Sequence, residues 1–160
     1  MIGSLEKLLV LQRSPLLSSL AADELLAIAG LCTEVALERG GEILQPGSLG
    51  EAMFVLVRGE ISVEGPDGTA VLARVGDTLG EVEALDWEPH EVTAVALGPA
   101  LLLRLDRYDL QDSIAHMPRF ADNLARALVA RLRARRPIAR GTSQSFTPEP
   151  GASDTGETPT

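Results

Sequence analysis

The stretch of sequence that decides the fold is Leu79-Gly80-Glu81-Val82-Glu83-Ala84-Leu85-Asp86-Trp87-Glu88-Pro89-His90-Glu91-Val92-Thr93-Ala94. A Gly-Glu pair alone is typical of a turn that ends a strand, because glycine tolerates backbone conformations and close approaches that other residues do not. The order of the signals on either side of the stretch makes it more specific than that.

Short apolar segments separated by turn residues predict β-strands around the stretch. Residues 53–57 form an apolar run, and residues 61–63 alternate between apolar and polar. The turn residues Gly65-Pro66-Asp67-Gly68 predict a hairpin to a strand at 70–75. Two more strands are predicted at 92–96 and 101–105. Strands spaced in this way are typical of a sandwich or barrel.

Helical patterns flank these strands at both ends. The segment from Leu5 to Val35 is predicted to be helical, with a turn at residues 15–20. Four of its residues recur at the spacing of one helix face and are predicted to be core: Leu25, Ile28, Ala29 and Cys32. A second amphipathic pattern covers residues 119–136, and Pro137 ends it. The combination predicts an α+β fold.

With these neighbours, the stretch from Leu79 to Ala94 resembles the phosphate-binding cassette of cyclic-nucleotide-binding domains. In that family, which includes catabolite activator proteins and protein kinase A regulatory subunits, Phe-Gly-Glu-Leu-Ala-Leu-Leu leads into Pro-Arg-Ser/Ala-Ala-Thr/Ser. Residues 40–63 also resemble the family's Pro-Gly-Glu-Val-Ile, Gly-Asp-x-Gly-Asp and Tyr-x-Val-x-x-Gly-x-Val elements. The resemblance covers roughly residues 4–136. It implies an antiparallel β-roll (a double-stranded β-helix or jelly roll) with N-terminal helices and a long C-terminal helix.

The resemblance also implies a pocket for cyclic AMP or cyclic GMP. The pocket residues would be Gly80, Glu81, Val82, Glu83, Ala84, His90, Glu91 and Thr93. A cyclic phosphodiester is a compact monoanion, which backbone N–H groups and a planar cation bind well. Gly80 lets the backbone approach the ligand, and the Glu81 carboxylate accepts from the ribose 2′-hydroxyl. Thr93 stands at the family position where Thr or Ser favours a guanine ring.

The phosphate side of this pocket departs from the family pattern. His90 replaces the phosphate-binding arginine, which as a charge-assisted pair contributes about 1.5–3 kcal/mol. Glu91 replaces the small residue after it, and a carboxylate about 4 Å from a phosphate repels it by about 4 kcal/mol at an effective dielectric near 20. We therefore expect nucleotide affinity to fall by roughly three to five decades, or to be lost.

Two side chains decide how complete that loss is. His90 is either a protonated, single-point substitute for the arginine or an exposed loop residue paired with Glu91. Glu83 replaces a small residue of the family pattern and is harmless if it points outward.

The C-terminal amphipathic helix carries an apolar stripe at i, i+4 spacing. The stripe consists of Phe120, Leu124, Leu128 and Leu132. Three interpretations are open for this helix: a basic, solvated end of a helix that packs on the core, a dimerisation or lid helix, or a contact with an acidic surface or membrane. The partner would then be a second copy of the chain or an unidentified protein.

The charge of the chain argues against nucleic-acid binding. The formal net charge is -9, and nothing after Arg140 could supply the recognition helix of a helix-turn-helix. Residues 119–140 carry seven arginines and only one aspartate. Because the chain as a whole is acidic and lacks a recognition helix, we nonetheless expect no contact with DNA.

The sequence contains few candidate catalytic or metal-ligating groups. A cupin-like metal enzyme needs two or three closely spaced histidines and a carboxylate, but the only histidines are His90 and His116. Neither a serine nucleophile elbow nor a Walker-type phosphate loop occurs. We predict no catalytic residues, no metal and no cofactor.

Composition and length complete the prediction. We expect one domain at residues 1–140 and a disordered acidic tail rich in Ser, Thr, Pro and Gly at residues 141–160. The single cysteine, the lack of a membrane span and the lack of a secretion signal predict a cytoplasmic protein. The predicted function is a non-catalytic regulatory domain with weak or lost cyclic-nucleotide binding. The alternative is a ligand-free interaction or dimerisation module, and a cupin-like metal enzyme is a distant third.

Overall fold

Thirteen elements of secondary structure make up residues 1–135, the part of the chain that the computed structural model describes. In chain order they are α1 (Ser4–Arg13), α2 (Ala22–Leu31), β1 (Thr33–Leu37), β2 (Glu42–Leu44), β3 (Ala52–Arg58), β4 (Ile61–Glu64), β5 (Ala70–Ala73), β6 (Thr78–Leu79), α3 (Glu81–Asp86), β7 (Thr93–Ala96), β8 (Ala100–Asp106), α4 (Arg107–His116) and α5 (Pro118–Arg135). Residues 1–128 form one compact unit, and a second unit begins at Val129.

The strands form two four-stranded antiparallel sheets. One has the order β1-β8-β3-β6 and the other the order β2-β7-β4-β5. Alternate residues of both sheets meet in one buried apolar cluster, which includes Leu44, Phe54, Ile61, Ala94 and Leu102. The architecture is the predicted antiparallel β-roll with flanking helices, and the α+β assignment is confirmed.

Strand β3 of the first sheet is buried on both faces. Met53, Val55 and Val57 of β3 point away from the roll and pack with residues of the helices, in a second cluster. The intervening residues of β3 belong to the cluster inside the roll. Burial on both faces explains why residues 52–57 form a continuous apolar run rather than an alternating pattern.

The hairpin between β4 and β5 has the turn that its sequence predicts. Gly68 has a φ of +80°, and its N–H donates to the Gly65 carbonyl at 3.0 Å. The Asp67 carboxylate accepts from the Thr69 N–H at 3.0 Å and from the Thr69 hydroxyl at 2.9 Å. These hydrogen bonds lower the pKa of Asp67, since they stabilise its charged form.

The N-terminal helical segment is shorter than predicted. α2 ends at Leu31, and residues 33–37, the first three of which were expected to be helical, form β1 instead. This strand pairs with β8, with Val35 opposite Leu102, so sheet pairing overrides the local helical pattern. The predicted core residues of the helix face are all buried: Leu25, Ile28, Ala29 and Cys32. Burial raises the pKa of the Cys32 thiol to about 11, as expected for a packed core cysteine.

The chain after β8 forms two helices. His116 is the last residue of α4, and its Nδ1 lies 2.8 Å from the Asp112 carbonyl oxygen. α5 begins one residue before the predicted helix, at Pro118, where the missing N–H of proline is tolerated. The predicted tail at 141–160 lies outside the described residues. No helix among residues 1–135 is both long and apolar enough to cross a bilayer.

Candidate functional site

The cassette begins where β6 ends, and Gly80 makes the turn into helix α3. Gly80 has a φ of +76°, in the left-handed region that favours glycine. A Cβ at this position would lie 3.1 Å from the Ala52 carbonyl oxygen and 3.4 Å from His90 Cε1. The backbone conformation and the close packing therefore both call for glycine here.

Main-chain hydrogen bonds fix the other end of the cassette to the loop before β3. The His90 N–H donates to the Ser48 carbonyl at 2.8 Å, and the Gly47 N–H donates to the His90 carbonyl at 2.9 Å. The Gly50 N–H donates to the Glu88 carbonyl at 3.3 Å. Residues 47–50 and 88–90 thus form a short antiparallel connection that holds His90 in place.

The side chain of His90 is buried inside the cassette. It is 4% exposed, and its Nδ1 lies 3.6 Å from Glu83 Oε2, whose side chain is 23% exposed. Within residues 1–135, Nδ1 makes no hydrogen bond. The interpretation of His90 as an exposed loop residue paired with Glu91 is therefore wrong, because Glu91 is exposed and His90 faces Glu83. Glu83 likewise does not point harmlessly outward.

The structure places His90 next to residues 80–84 at the start of α3, and of the predicted pocket residues only His90 lines the cavity described below. Glu81 is 2% exposed and Ala84 is fully buried, both on α3. Val82 is half-buried on the same helix. Thr93 is half-buried at the start of β7, opposite Glu64 of β4. Gly80 packs against the His90 ring, and the Glu83 carboxylate lies close to His90 Nδ1.

A cavity of about 160 Å³ opens beside His90. Leu44, Phe54 and Ser48 line it, and Arg104 of β8 forms another part of its wall. Arg104 is partly exposed and lies 3.6 Å from the Asp106 carboxylate. Sequence reasoning missed Arg104. The signal was available, because Ala100, Leu102 and Arg104 share the strand face that points into the roll.

Arg107, the first residue of α4, contacts the end of the cassette helix. Its guanidinium lies 3.6 Å from the centroid of the Trp87 ring, and its Nε donates to the Ala84 carbonyl at 3.2 Å. Trp87 has a φ of +61°, rare for a residue with a side chain, and it ends α3. The cation–π contact and the hydrogen bond hold this strained end against α4.

We expect Arg107→Ala to lower the free energy of unfolding by about 1–2 kcal/mol, because it removes a cation–π contact and a charge-assisted hydrogen bond. Urea denaturation of the two proteins measures the difference. Arg74→Ala is the matched control, since Arg74 is exposed on the chain between β5 and β6. Equal stability of the Arg107→Ala and Arg74→Ala variants would contradict this role for Arg107.

The apolar stripe of the C-terminal helix begins inside the core of the first unit. Phe120 is fully buried and Leu124 is 4% exposed, and Leu128 packs against the same cluster. Leu132 lies in the second unit. Dimerisation or lid closure through this stripe remains a prediction.

Comparison with known proteins adds independent evidence. The family model described as "Cyclic nucleotide-binding domain" matches residues 34–116. The Cyclic AMP receptor protein of Thermus thermophilus is 31% identical over 125 residues, which are 75% of this chain and 58% of the relative. The human Cyclic nucleotide-gated channel beta-3 is 35% identical over 85 residues, 49% of this chain and 10% of the channel. The chain thus spans little more than half of the first relative's length and a tenth of the second's.

Solved structures show the same similarity. The crystal structure of Thermus thermophilus Catabolite Activator Protein aligns with a TM-score of 0.69 at 30% identity, covering 76% of this chain and 59% of that one. The N-terminal domain of a transcriptional regulator from Streptomyces coelicolor A3(2) aligns with a TM-score of 0.64 at 29% identity, covering 81% of this chain and 96% of that one.

Proposed function

Because the chain belongs to the cyclic nucleotide-binding domain family, we propose that it is a non-catalytic regulatory domain with weakened or lost affinity for cyclic AMP and cyclic GMP. One observation carries the proposal. The side chain at the family's arginine position, His90, is buried beside Gly80 and faces a carboxylate of the cassette itself.

The ribose side of the site supports a cyclic nucleotide as the ligand class. Gly80 keeps the backbone conformation that permits close approach, and Glu81 is held almost fully buried at the first position of α3. A carboxylate held in this way can accept a hydrogen bond from a ribose 2′-hydroxyl. We assign Glu81 that role, and we assign Thr93 to the neighbouring wall.

The phosphate side supports weakened binding. An imidazole makes one hydrogen bond to a phosphate where a guanidinium makes two parallel ones. Glu91, in contrast, is exposed, so solvent screens its repulsion of a phosphate far more than the sequence alone indicates. We therefore revise the expected loss of affinity to about two to three decades.

The same buried pair favours a second candidate, a ligand-free interaction module of the same fold. The Glu83 carboxylate already lies 3.6 Å from His90 Nδ1, so a group of the chain itself occupies this side of the imidazole. In either case we place the module in the cytoplasm with a protein as its regulated partner, including a second copy bound through α5. The net charge of -9 disfavours DNA.

The metal-enzyme alternative gains no support. His90 is enclosed in the cassette, whereas His116 ends α4 and is exposed. Among residues 1–135, no three His, Cys, Asp or Glu side chains are placed to hold one metal ion.

Calorimetric titration of the full chain tests the proposal. We expect cyclic AMP and cyclic GMP to bind with dissociation constants of about 0.1 mM or weaker, because the phosphate contact is reduced to a single imidazole. Adenosine 5′-monophosphate is the control nucleotide, since it lacks the closed phosphodiester ring. Micromolar binding of either cyclic nucleotide would contradict the weakened site.

A further inference from the structure

The anion nearest to His90 comes from the chain itself. Glu83 Oε2 is 3.6 Å from His90 Nδ1, and both side chains are withdrawn from solvent, with 23% and 4% exposed. No other ionic partner of His90 occurs within residues 1–135. In such a partly desolvated position, a charge pair is screened much less than at the surface.

The main chain of Glu83 is fixed, so its carboxylate cannot leave by a movement of the helix alone. Its carbonyl oxygen accepts from the Trp87 N–H at 2.9 Å. Gly50 packs so closely on this peptide that a Cβ there would lie 2.1 Å from the Glu83 carbonyl carbon. Rotation of the Glu83 side chain therefore takes the carboxylate away from His90 with less disturbance of this packing than a shift of the helix.

We propose that Glu83 is a built-in counter-ion of the cassette, whose carboxylate competes with the anionic group of a ligand for the side chain at position 90. The inference rests on the proposed function, because it concerns the phosphate side of the same site. Two anions beside the same imidazole repel each other, and this Coulomb repulsion is weakly screened in a buried site. A phosphate that binds beside His90 must therefore displace the Glu83 side chain. Glu83 thereby sets the affinity of the site for anions.

A pair of titrations tests the competition. In the His90→Arg, Glu91→Ser background, adding Glu83→Gln should raise the affinity for cyclic AMP about tenfold, because the arginine is released from its internal partner. Adding Glu88→Gln instead is the matched control, since Glu88 is an exposed carboxylate of the same stretch and should change nothing. Equal affinity with and without Glu83 would overturn the proposal.

A second titration with inorganic phosphate separates this proposal from the proposed function. If Glu83→Gln raises the affinity for inorganic phosphate while neither cyclic nucleotide binds, the counter-ion is supported and the cyclic-nucleotide assignment is overturned. Nucleotide binding that is insensitive to Glu83 would do the reverse.

A double-mutant cycle tests the pair without any ligand. Urea unfolding of the wild type, Glu83→Gln, His90→Gln and the double variant gives the coupling between the two side chains. We expect a coupling of roughly threefold to tenfold in the unfolding equilibrium constant, with the wild-type pair favourable. Coupling indistinguishable from zero would overturn the proposal, because a competing carboxylate must interact with His90 in the unliganded protein.

Discussion

The His90→Arg, Glu91→Ser variant should bind cyclic AMP about a hundredfold more tightly than the wild type. A guanidinium offers two parallel charge-assisted hydrogen bonds to a phosphodiester, worth about 1.5–3 kcal/mol over none, or about tenfold to 150-fold. Glu91 adds a smaller term, because it is exposed and its repulsion is screened. Isothermal titration calorimetry of both proteins measures the gain.

The two single variants show how much of the gain in affinity comes from each substitution. His90→Arg should account for most of the gain, and Glu91→Ser alone should change the affinity by no more than a factor of a few. A Glu91→Ser effect as large as that of His90→Arg would show that the position of Glu91 in solution differs from its exposed position here. No gain in the double variant would argue for the ligand-free module.

Gly50→Ala should destabilise the protein by about 3 kcal/mol or more. The added methyl group would lie 2.1 Å from the Glu83 carbonyl carbon and 2.6 Å from the Ala84 nitrogen, and both are backbone atoms that no side-chain rotation can move. The cassette helix must therefore shift away from the loop at residues 47–50, which breaks the packing that holds His90. Thermal and urea unfolding measure the loss.

Gly30→Ala is the matched control for that experiment. Gly30 lies within α2, and a Cβ there would meet nothing within 4 Å. Alanine is a better helix former than glycine, so this variant should gain about 0.5–1 kcal/mol. Similar stabilities for the two alanine variants would show that the close approach of Gly50 to α3 is relaxed in solution.

Much of the fold could be predicted because its elements carry local signals. A continuous apolar run predicted β3, a period-two pattern and turn residues predicted β4 and the hairpin to β5, and the face formed by Leu25, Ile28 and Ala29 predicted α2. β1 was not predicted, because residues 33–37 become a strand only through pairing with β8. Nonlocal pairing of this kind leaves little trace in the local sequence.

The sequence predicted which residues belong to the candidate site better than it predicted the contacts between them. The motif brought Gly80, Glu81 and His90 together, but it gave no direction for the Glu83 side chain. That direction depends on how α3 packs on Gly50 and on the burial of His90, which are tertiary properties. Arg104 was missed although strand alternation places it on the inward face of β8, since alternation does not indicate a cavity beside that face.

The contact between Arg107 and Trp87 makes the tryptophan an intrinsic fluorescent probe of the cassette. Trp87 is the only tryptophan in the sequence, so the indole emission of the unlabelled protein arises from a single ring. That ring terminates the cassette helix, with a guanidinium charge 3.6 Å from its centroid. Indole emission responds to nearby charge and to solvent, so movement of α3 relative to α4 changes the spectrum. Ligand entry, counter-ion release and the effect of Gly50→Ala can therefore all be followed by intrinsic fluorescence.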